Sequence, residues 1–322
     1  MICSVESYPV TDQSHYLDIT ATGVLSLIED AGRQRCAHLG LTVGGVMDRH
    51  AWAWGNRLVG NRWGAAAVEI TIGGLKGRFM QATQIALTGA DLKARLNGQA
   101  IAPWQTQAVE AGDVLETGYA TSGMRAYLCI RGGWKTPKGL GESRSCVLRE
   151  QLGGLDGLGS ALKSGDHLAY QPTQAEHRCA LTSLPSQFIP DYNSPAQLDF
   201  YPNPHSQVSE DITEALLTSN WTLSSNSNRM AALLEGPKLE TTARALISEG
   251  VAAGTVQLPP SGQPIILLNE RQSIGGYPKP GFVTLRSLDH LAQVRPGQTV
   301  QLRSINLEQA QQQEAAFQRF FR

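Results

Sequence analysis

The 322-residue sequence predicts a mainly β protein with a few short helices, arranged as two barrel-like lobes. Three observations carry that expectation. The chain holds 33 glycines and 16 prolines, which suits turn-rich β structure better than a helical bundle. Apolar and polar residues alternate at the period of two that half-buried strands require. Val68, Ile70 and Ile72 alternate with Glu69 and Thr71, and Ala126, Leu128 and Ile130 alternate with Arg125, Tyr127, Cys129 and Arg131. Finally, a glycine turn leading into a short strand recurs at Ala111-Gly-Asp-Val-Leu115, Ser164-Gly-Asp-His-Leu168 and Pro296-Gly-Gln-Thr-Val300, as lobes of related design would show.

Residues 1–17 are polar, lack periodicity and read as an N-terminal extension, with the first lobe over 18–185. Val24 to Ile28 is a strand broken by Glu29-Asp-Ala-Gly-Arg33. Asp30 and Arg33, a charged pair flanking a glycine at a strand end, have no obvious capping task. Val43-Gly-Gly-Val-Met-Asp48 is a glycine turn that delivers Asp48 to a helix N-cap. Ala51, Trp54, Leu58 and Val59 follow at helical spacing, and Gly60-Asn61 ends the helix. Glu69 points away from the apolar face of its strand. Ile85 to Thr88 is a further strand ending in Gly89-Ala-Asp91, and Asn97-Gly98 is a hairpin turn. The polar face of Arg125–Arg131 either meets solvent or lines a cavity. Prolines at 172, 185, 190, 195, 202 and 204 mark the boundary to a second lobe over 186–305. That lobe is expected to hold a helix near Ser209 to Ser219 and a short helix capped by Ser287. From 306 to 322 an amphipathic helix carries Ala310, Phe317 and Phe321 on one stripe, docked on the body or on a partner.

Charge and cysteine usage narrow the function. Lysine and arginine total 27 against 28 acidic residues, a net charge of −1, and no basic stripe appears, which argues against a nucleic-acid partner. No apolar run approaches the ~18 residues of a membrane span. The N-terminus lacks the basic start and apolar core of a signal peptide, so a cytoplasmic location is expected. Cys3, Cys36, Cys129, Cys146 and Cys179 are scattered, without a Cys-x-x-Cys pair, which reads as a reduced set with no metal-site spacing.

The stretch Ser248 to Pro278 concentrates glycines, prolines and uncharged amides around Glu249, Gln257, Gln263, Glu270, Arg271 and Gln272. Such a stretch is either a set of β-turns or a polar surface suited to a small polar molecule. Phosphate-loop, dinucleotide, Gly-x-Ser-x-Gly and metal-ligand patterns are all missing. Catalysis would then rest on carboxylates, arginines and backbone groups, or on a partner protein.

A family resemblance runs from about residue 20 to 305. Ile28-Glu-Asp-Ala-Gly-Arg33, Gly44-Gly-Val-Met-Asp48, Leu58-Val-Gly-Asn61, Glu69-Ile-Thr71, Leu87-Thr-Gly-Ala-Asp91 and Pro103-Trp104 carry it in the first half. Ser227-Asn-Arg-Met230, Glu235-Gly-Pro237, Ser248-Glu-Gly-Val251, Gln257, Gly262-Gln-Pro264 and Gly275-Gly-Tyr-Pro278 carry it in the second. Together these resemble the biotin-dependent carboxyltransferase (allophanate hydrolase subunit 2, KipA) family, and within it the PxpC components of 5-oxoprolinase. Departures occur at Cys146-Val147, where members commonly read Thr-Asp, and at Ala231-Ala-Leu233, where they read Gly-Tyr-Arg.

The resemblance implies cyclophilin-like β-barrel lobes and a cytoplasmic hetero-oligomer with a KipI-like component and a lactam-processing component. The implied reaction is the ATP- and Mg-dependent opening of 5-oxo-L-proline to L-glutamate. Candidate catalytic residues are Asp48, Glu69 and Glu249 as bases and Arg33 and Arg229 as anion clamps. Candidate substrate-binding residues are Asp30, Asp91, Gln257, Gln263, Glu270, Gln272 and Tyr277, with no metal held by the chain itself. Two alternatives stay open: a carboxyltransferase component of a biotin-dependent urea or amide carboxylase, and a KipA-like antagonist of a kinase inhibitor.

Overall fold

A computed structural model of the protein describes residues 15–173, 180–206, 208–240 and 247–322. Most of the expected N-terminal extension, with Cys3, and also Cys179 lie outside the described residues.

The first lobe contains β1 (Tyr16–Thr22), β2 (Leu25–Glu29), helix α1 (Arg49–Leu58), β3 (Ala67–Thr71), β4 (Leu75–Phe79), β5 (Thr83–Asp91), β6 (Arg95–Leu96), β7 (Gln99–Ala100), β8 (Thr106–Val109), β9 (Val114–Glu116), β10 (Ser122–Ile130) and β11 (His167–Ala169). Its strands form a six-stranded sheet in the order β11-β1-β4-β9-β6-β7 and a five-stranded sheet in the order β2-β3-β10-β5-β8. Leu17, Ile19, Ile28, Val68, Ile70, Phe79, Ile85, Leu87, Ala126 and Leu128 belong to one buried core drawn from both sheets. The Asn97-Gly98 turn joins β6 to β7 as expected.

Residues 180–195 run beside the five-stranded sheet, where Thr106 N donates to Thr182 O at 2.9 Å, before the chain reaches the second lobe. That lobe contains β12 (Ala196–Pro202), α2 (Glu210–Thr218), β13 (Trp221–Leu223), β14 (Ala231–Glu235), β15 (Glu249–Gly250), β16 (Thr255–Gln257), β17 (Ile265–Leu267), β18 (Ile274–Gly275), β19 (Gly281–Val283), α3 (Leu285–Leu291) and β20 (Thr299–Ser304). Seven strands close a barrel in the order β12-β19-β16-β17-β14-β13-β20, and the parallel pairing of β12 with β20 completes the ring. Closure removes unpaired sheet edges, which short strands of three to seven residues would otherwise leave open. β15 and β18 pair separately as a two-stranded ribbon. The short helix expected to be capped by Ser287 is capped by Thr284 instead. Ser287 lies one turn inside, and its hydroxyl accepts the Asp199 amide at 2.8 Å.

The last helix, α4 (Leu307–Phe321), is capped by Asn306 and returns to the first lobe. Phe317 is buried there, and Phe320 and Phe321 pack on Trp54 with ring centroids 5.2 Å apart. Trp52 sits in the core beneath α1, whereas Trp54 and Trp63 are half-buried beside α4. α1 itself lies hard against the five-stranded sheet. A β-carbon at Gly55 would come within 2.6 Å of the Thr88 hydroxyl, so only glycine permits this approach.

Candidate functional site

The register of β2, β3 and β10 creates a buried polar face. Leu27 lies opposite Glu69, and Glu69 opposite Tyr127. Since side chains alternate across a strand, Ile28, Val68, Ile70, Ala126 and Leu128 enter the first core. Glu29, Glu69, Arg125 and Tyr127 then share the opposite face. α1 and the second lobe cover that face, so these four polar residues are all buried.

Arg229, in the turn between β13 and β14, completes the cluster. Its Nη1 donates to Glu69 Oε1 and its Nε to Glu270 Oε1. Nη2 donates to Gly45 O at 2.8 Å and lies 3.1 Å from Glu29 Oε1. Gly44 and Gly45, both at positive φ, let the loop before α1 fold against Gly32 and present that carbonyl. The same loop directs Met47 N to Glu69 Oε2 at 2.9 Å, and Tyr127 Oη donates to the same oxygen at 2.9 Å. Arg125 Nε stands 3.6 Å from Glu69 Oε1, and its Nη1 donates to Ala292 O in the second lobe.

Three carboxylates therefore face two guanidiniums away from water. Burial pushes the Glu29 carboxyl well above its usual range, and the Glu69 and Glu270 carboxylates push the same way. Arg229 opposes them but is shared with both of those neighbours. Neither Glu29 oxygen has a hydrogen-bond partner among the described residues. Burial, reinforced by Glu69 and Asp48, likewise raises the Tyr127 phenol, which stays a proton donor.

Asp48 caps α1, as its sequence position predicts, accepting from Ala51 N at 2.9 Å. Its second oxygen accepts from Gln293 Nε2 at 2.7 Å and from Tyr192 Oη at 3.3 Å. Gln293 Oε1 accepts the amides of Met124 and Arg125, both at 2.9 Å, so this one side chain stitches the second lobe to β10.

The other predicted residues fall into separate places. Asp30 holds the 143–145 loop through Ser143 Oγ, Arg144 N and Ser145 Oγ, each at 2.7 Å. Arg33 is buried beside it, donating from Nη2 to Ser145 O, while its Nε and Nη1 have no partner. Glu249 is exposed on the β15–β18 ribbon and pairs with buried Lys279 at 2.9 Å. Gln257 is buried against Gly275, and its Nε2 is unpartnered. Gln263 bonds both backbone groups of Gly236, at 2.8 and 3.1 Å. Gln272 is exposed, Tyr277 is 41 % exposed, and Asp91 pairs with Lys93 at the end of β5.

The structure thus unites Glu69, Arg229 and Glu270, connects Asp48 to them through Tyr127, and places Asp30 and Arg33 in the adjoining loop layer. It does not bring Asp91, Gln263 or the ribbon residues to that cluster. Nε, Nη1 and Nη2 of Arg229 each donate to a protein acceptor, so three of its five N–H groups are spent on Glu270, Glu69 and Gly45. Glu29 and Gln293 were not legible as members. Glu29 follows an apolar run and carries no signal beyond its place two positions from Leu27. Gln293 lies past the end of α3, where nothing in the pattern marks it.

Comparison with known proteins gives a consistent relationship. The carboxyltransferase domain family, covering both of its subdomains, matches residues 39–304. The C component of 5-oxoprolinase from Escherichia coli is 34% identical over 307 residues, spanning 95% of this chain and 96% of its own. The corresponding 5-oxoprolinase component of Haemophilus influenzae is 33% identical, spanning 91% of this chain and 93% of its own. Among solved structures, K. lactis urea amidolyase superposes with a TM-score of 0.86 at 28% identity, covering 95% of this chain and 20% of that one.

Proposed function

The chain belongs to the carboxyltransferase-domain family, and on that premise we propose that it is the C component of an ATP-dependent 5-oxoprolinase. It would help activate and open the lactam of 5-oxo-L-proline to L-glutamate, in a cytoplasmic complex with a KipI-like component and a lactam-processing component. The observation that carries this reading is the end-to-end match to two proteins of that name, whereas the chain corresponds to only a fifth of the urea amidolyase. Among the described residues, no helix is long and apolar enough to cross a membrane.

A lactam is a poor electrophile, and the phosphoryl group of ATP supplies the chemistry that turns its oxygen into a leaving group. Among the described residues no group of three His, Cys, Asp or Glu suits a metal ion, and three of the five N–H groups of Arg229 are spent on protein acceptors. We therefore assign the nucleotide to the partner proteins. This chain contributes a two-lobe body whose seam holds the Arg229–Glu69–Glu270 cluster and the Asp48–Gln293 contact.

The test is to mix the purified chain with its KipI-like and lactam-processing partners and follow ADP and glutamate. Both should form only in the complete mixture with 5-oxoproline. A stable complex without 5-oxoproline-stimulated turnover would overturn the assignment. The urea amidolyase likeness supports a second reading, carboxyl transfer from a biotinylated partner to a small amide. Avidin-sensitive carboxylation of urea or another amide would favour it.

A further inference from the structure

Between residues 192–196 and 290–299, with Asp48 behind its wall, lies a cavity of about 160 Å³. Tyr192, His290, Gln293, Gln298 and Thr299 line it. Two of these, Tyr192 and Gln293, form the wall toward Asp48 and hydrogen-bond its carboxylate. The space is small for a ligand site, since drug-sized ligands occupy ~300–1,000 Å³. A cavity of roughly 150 Å³ takes up a single six-membered ring. A nucleotide does not fit, but one small ring does.

The lining also sets the chemistry of an occupant. Gln298 Oε1 accepts the Arg295 amide at 2.7 Å, which leaves its Nε2 as a donor. The Thr299 hydroxyl and the His290 ring make no hydrogen bond to a described residue, and each offers both donor and acceptor capacity. Burial lowers the His290 pKa while Asp191 opposes it, so the imidazole is neutral at pH 7. A ring amide, whose carbonyl accepts and whose N–H donates, complements this uncharged set.

We propose that this cavity is the lactam subsite, holding the ring amide of the substrate between Gln298, Thr299 and His290. The inference rests on the 5-oxoprolinase reading for its ligand. It adds where the ring binds and that the ring, not the nucleotide, is what this chain recognises. A carboxylate on the ring is left toward the mouth, where Ser194 is exposed.

The probes are 5-oxo-L-proline and 2-pyrrolidone, titrated into the full chain by NMR and into the three-component complex by turnover. Thr299→Val keeps side-chain volume, and Gln298→Leu removes the free donor. Gln293 is left alone because its loss would also cut the seam's own bonds. Each variant should keep the parent melting temperature and raise KM for 5-oxoproline by roughly three- to tenfold, the effect of one neutral hydrogen bond, with a smaller change in kcat. Unchanged KM in both variants, or shifts from bound 2-pyrrolidone centred away from residues 290–299, would overturn the subsite while leaving the oxoprolinase reading intact. Binding of 2-pyrrolidone at 290–299 without 5-oxoproline turnover by the complete parent complex would support the subsite and sink the oxoprolinase reading.

Discussion

Two of the places where the lobes are fastened have opposite chemistry. At one, Arg229 reaches from the second lobe into the sheet face of Glu29 and Glu69 and meets Glu270 there, entirely away from water. At the other, α4 lays Phe317, Phe320 and Phe321 against Trp54 and Trp63 of the first lobe. Three arginine–phenylalanine stacks and the Arg49–Glu314 pair accompany it. A buried ion cluster is exacting, because removing one partner strands the others in a low-dielectric interior. An aromatic strap is forgiving, because any side chain of similar volume recovers most of its burial. The same task is thus done once by a fixed arrangement and once by packing, and the two should fail differently.

The largest expected effect comes from breaking the exacting side. Arg229→Met strips the cation from three carboxylates and should cost about 3–5 kcal/mol, read as a lowered urea midpoint. Phe317→Ala attacks the strap and should cost about 3 kcal/mol, whereas Phe317→Leu should cost under about 1.5 kcal/mol. No such conservative rescue is expected of Arg229→Lys, since an ammonium cannot reproduce three directed N–H contacts.

Glu29→Gln sharpens the contrast from within the cluster. Because burial raises its carboxyl pKa in the folded state, the folded chain keeps a proton that the unfolded chain releases above its ordinary value of about 4.3. The contribution of Glu29 is therefore complete below that pH and is lost as pH rises through the raised folded pKa. Glutamine mimics the neutral acid and cannot ionise. The variant should be near parental stability in acid and lose less than the parent does toward neutral pH, measured as urea midpoint against pH. The smallest effect belongs to the Arg49–Glu314 pair. Glu314→Gln removes only its partly exposed pair with Arg49, which keeps Asp289, and should cost at most about 1 kcal/mol, diminishing in high salt.

The strap was more legible in the sequence than the cluster, for a physical reason. Helical periodicity around Phe317 and Phe321 is local, so it announces both the helix and its sticky face. The cluster depends on register between β2, β3 and β10 and on a loop from the other lobe, none of which is local. The strand alternation did set Glu69 and Tyr127 each on the polar face of its own strand, yet it left open whether the Arg125–Arg131 face met solvent or lined a cavity. Asp48 was readable as a cap because capping needs only its immediate neighbours. Its bond to Gln293, 245 residues away, was not. In the polar 248–278 stretch the residue types singled out real constraints, but Glu270 pairs with Arg229 and Gln263 ties a turn at Gly236.

The central claim is that Arg229 locks the lobes and does not grip substrate. Calorimetry of Arg229→Met beside the parent tests it most directly. The parent should unfold in one transition, and the variant at lower temperature, with the lobes separating into two. A variant with the parent's single transition and melting temperature, but without turnover in the complete complex, would contradict it and return Arg229 to the role of an anion clamp.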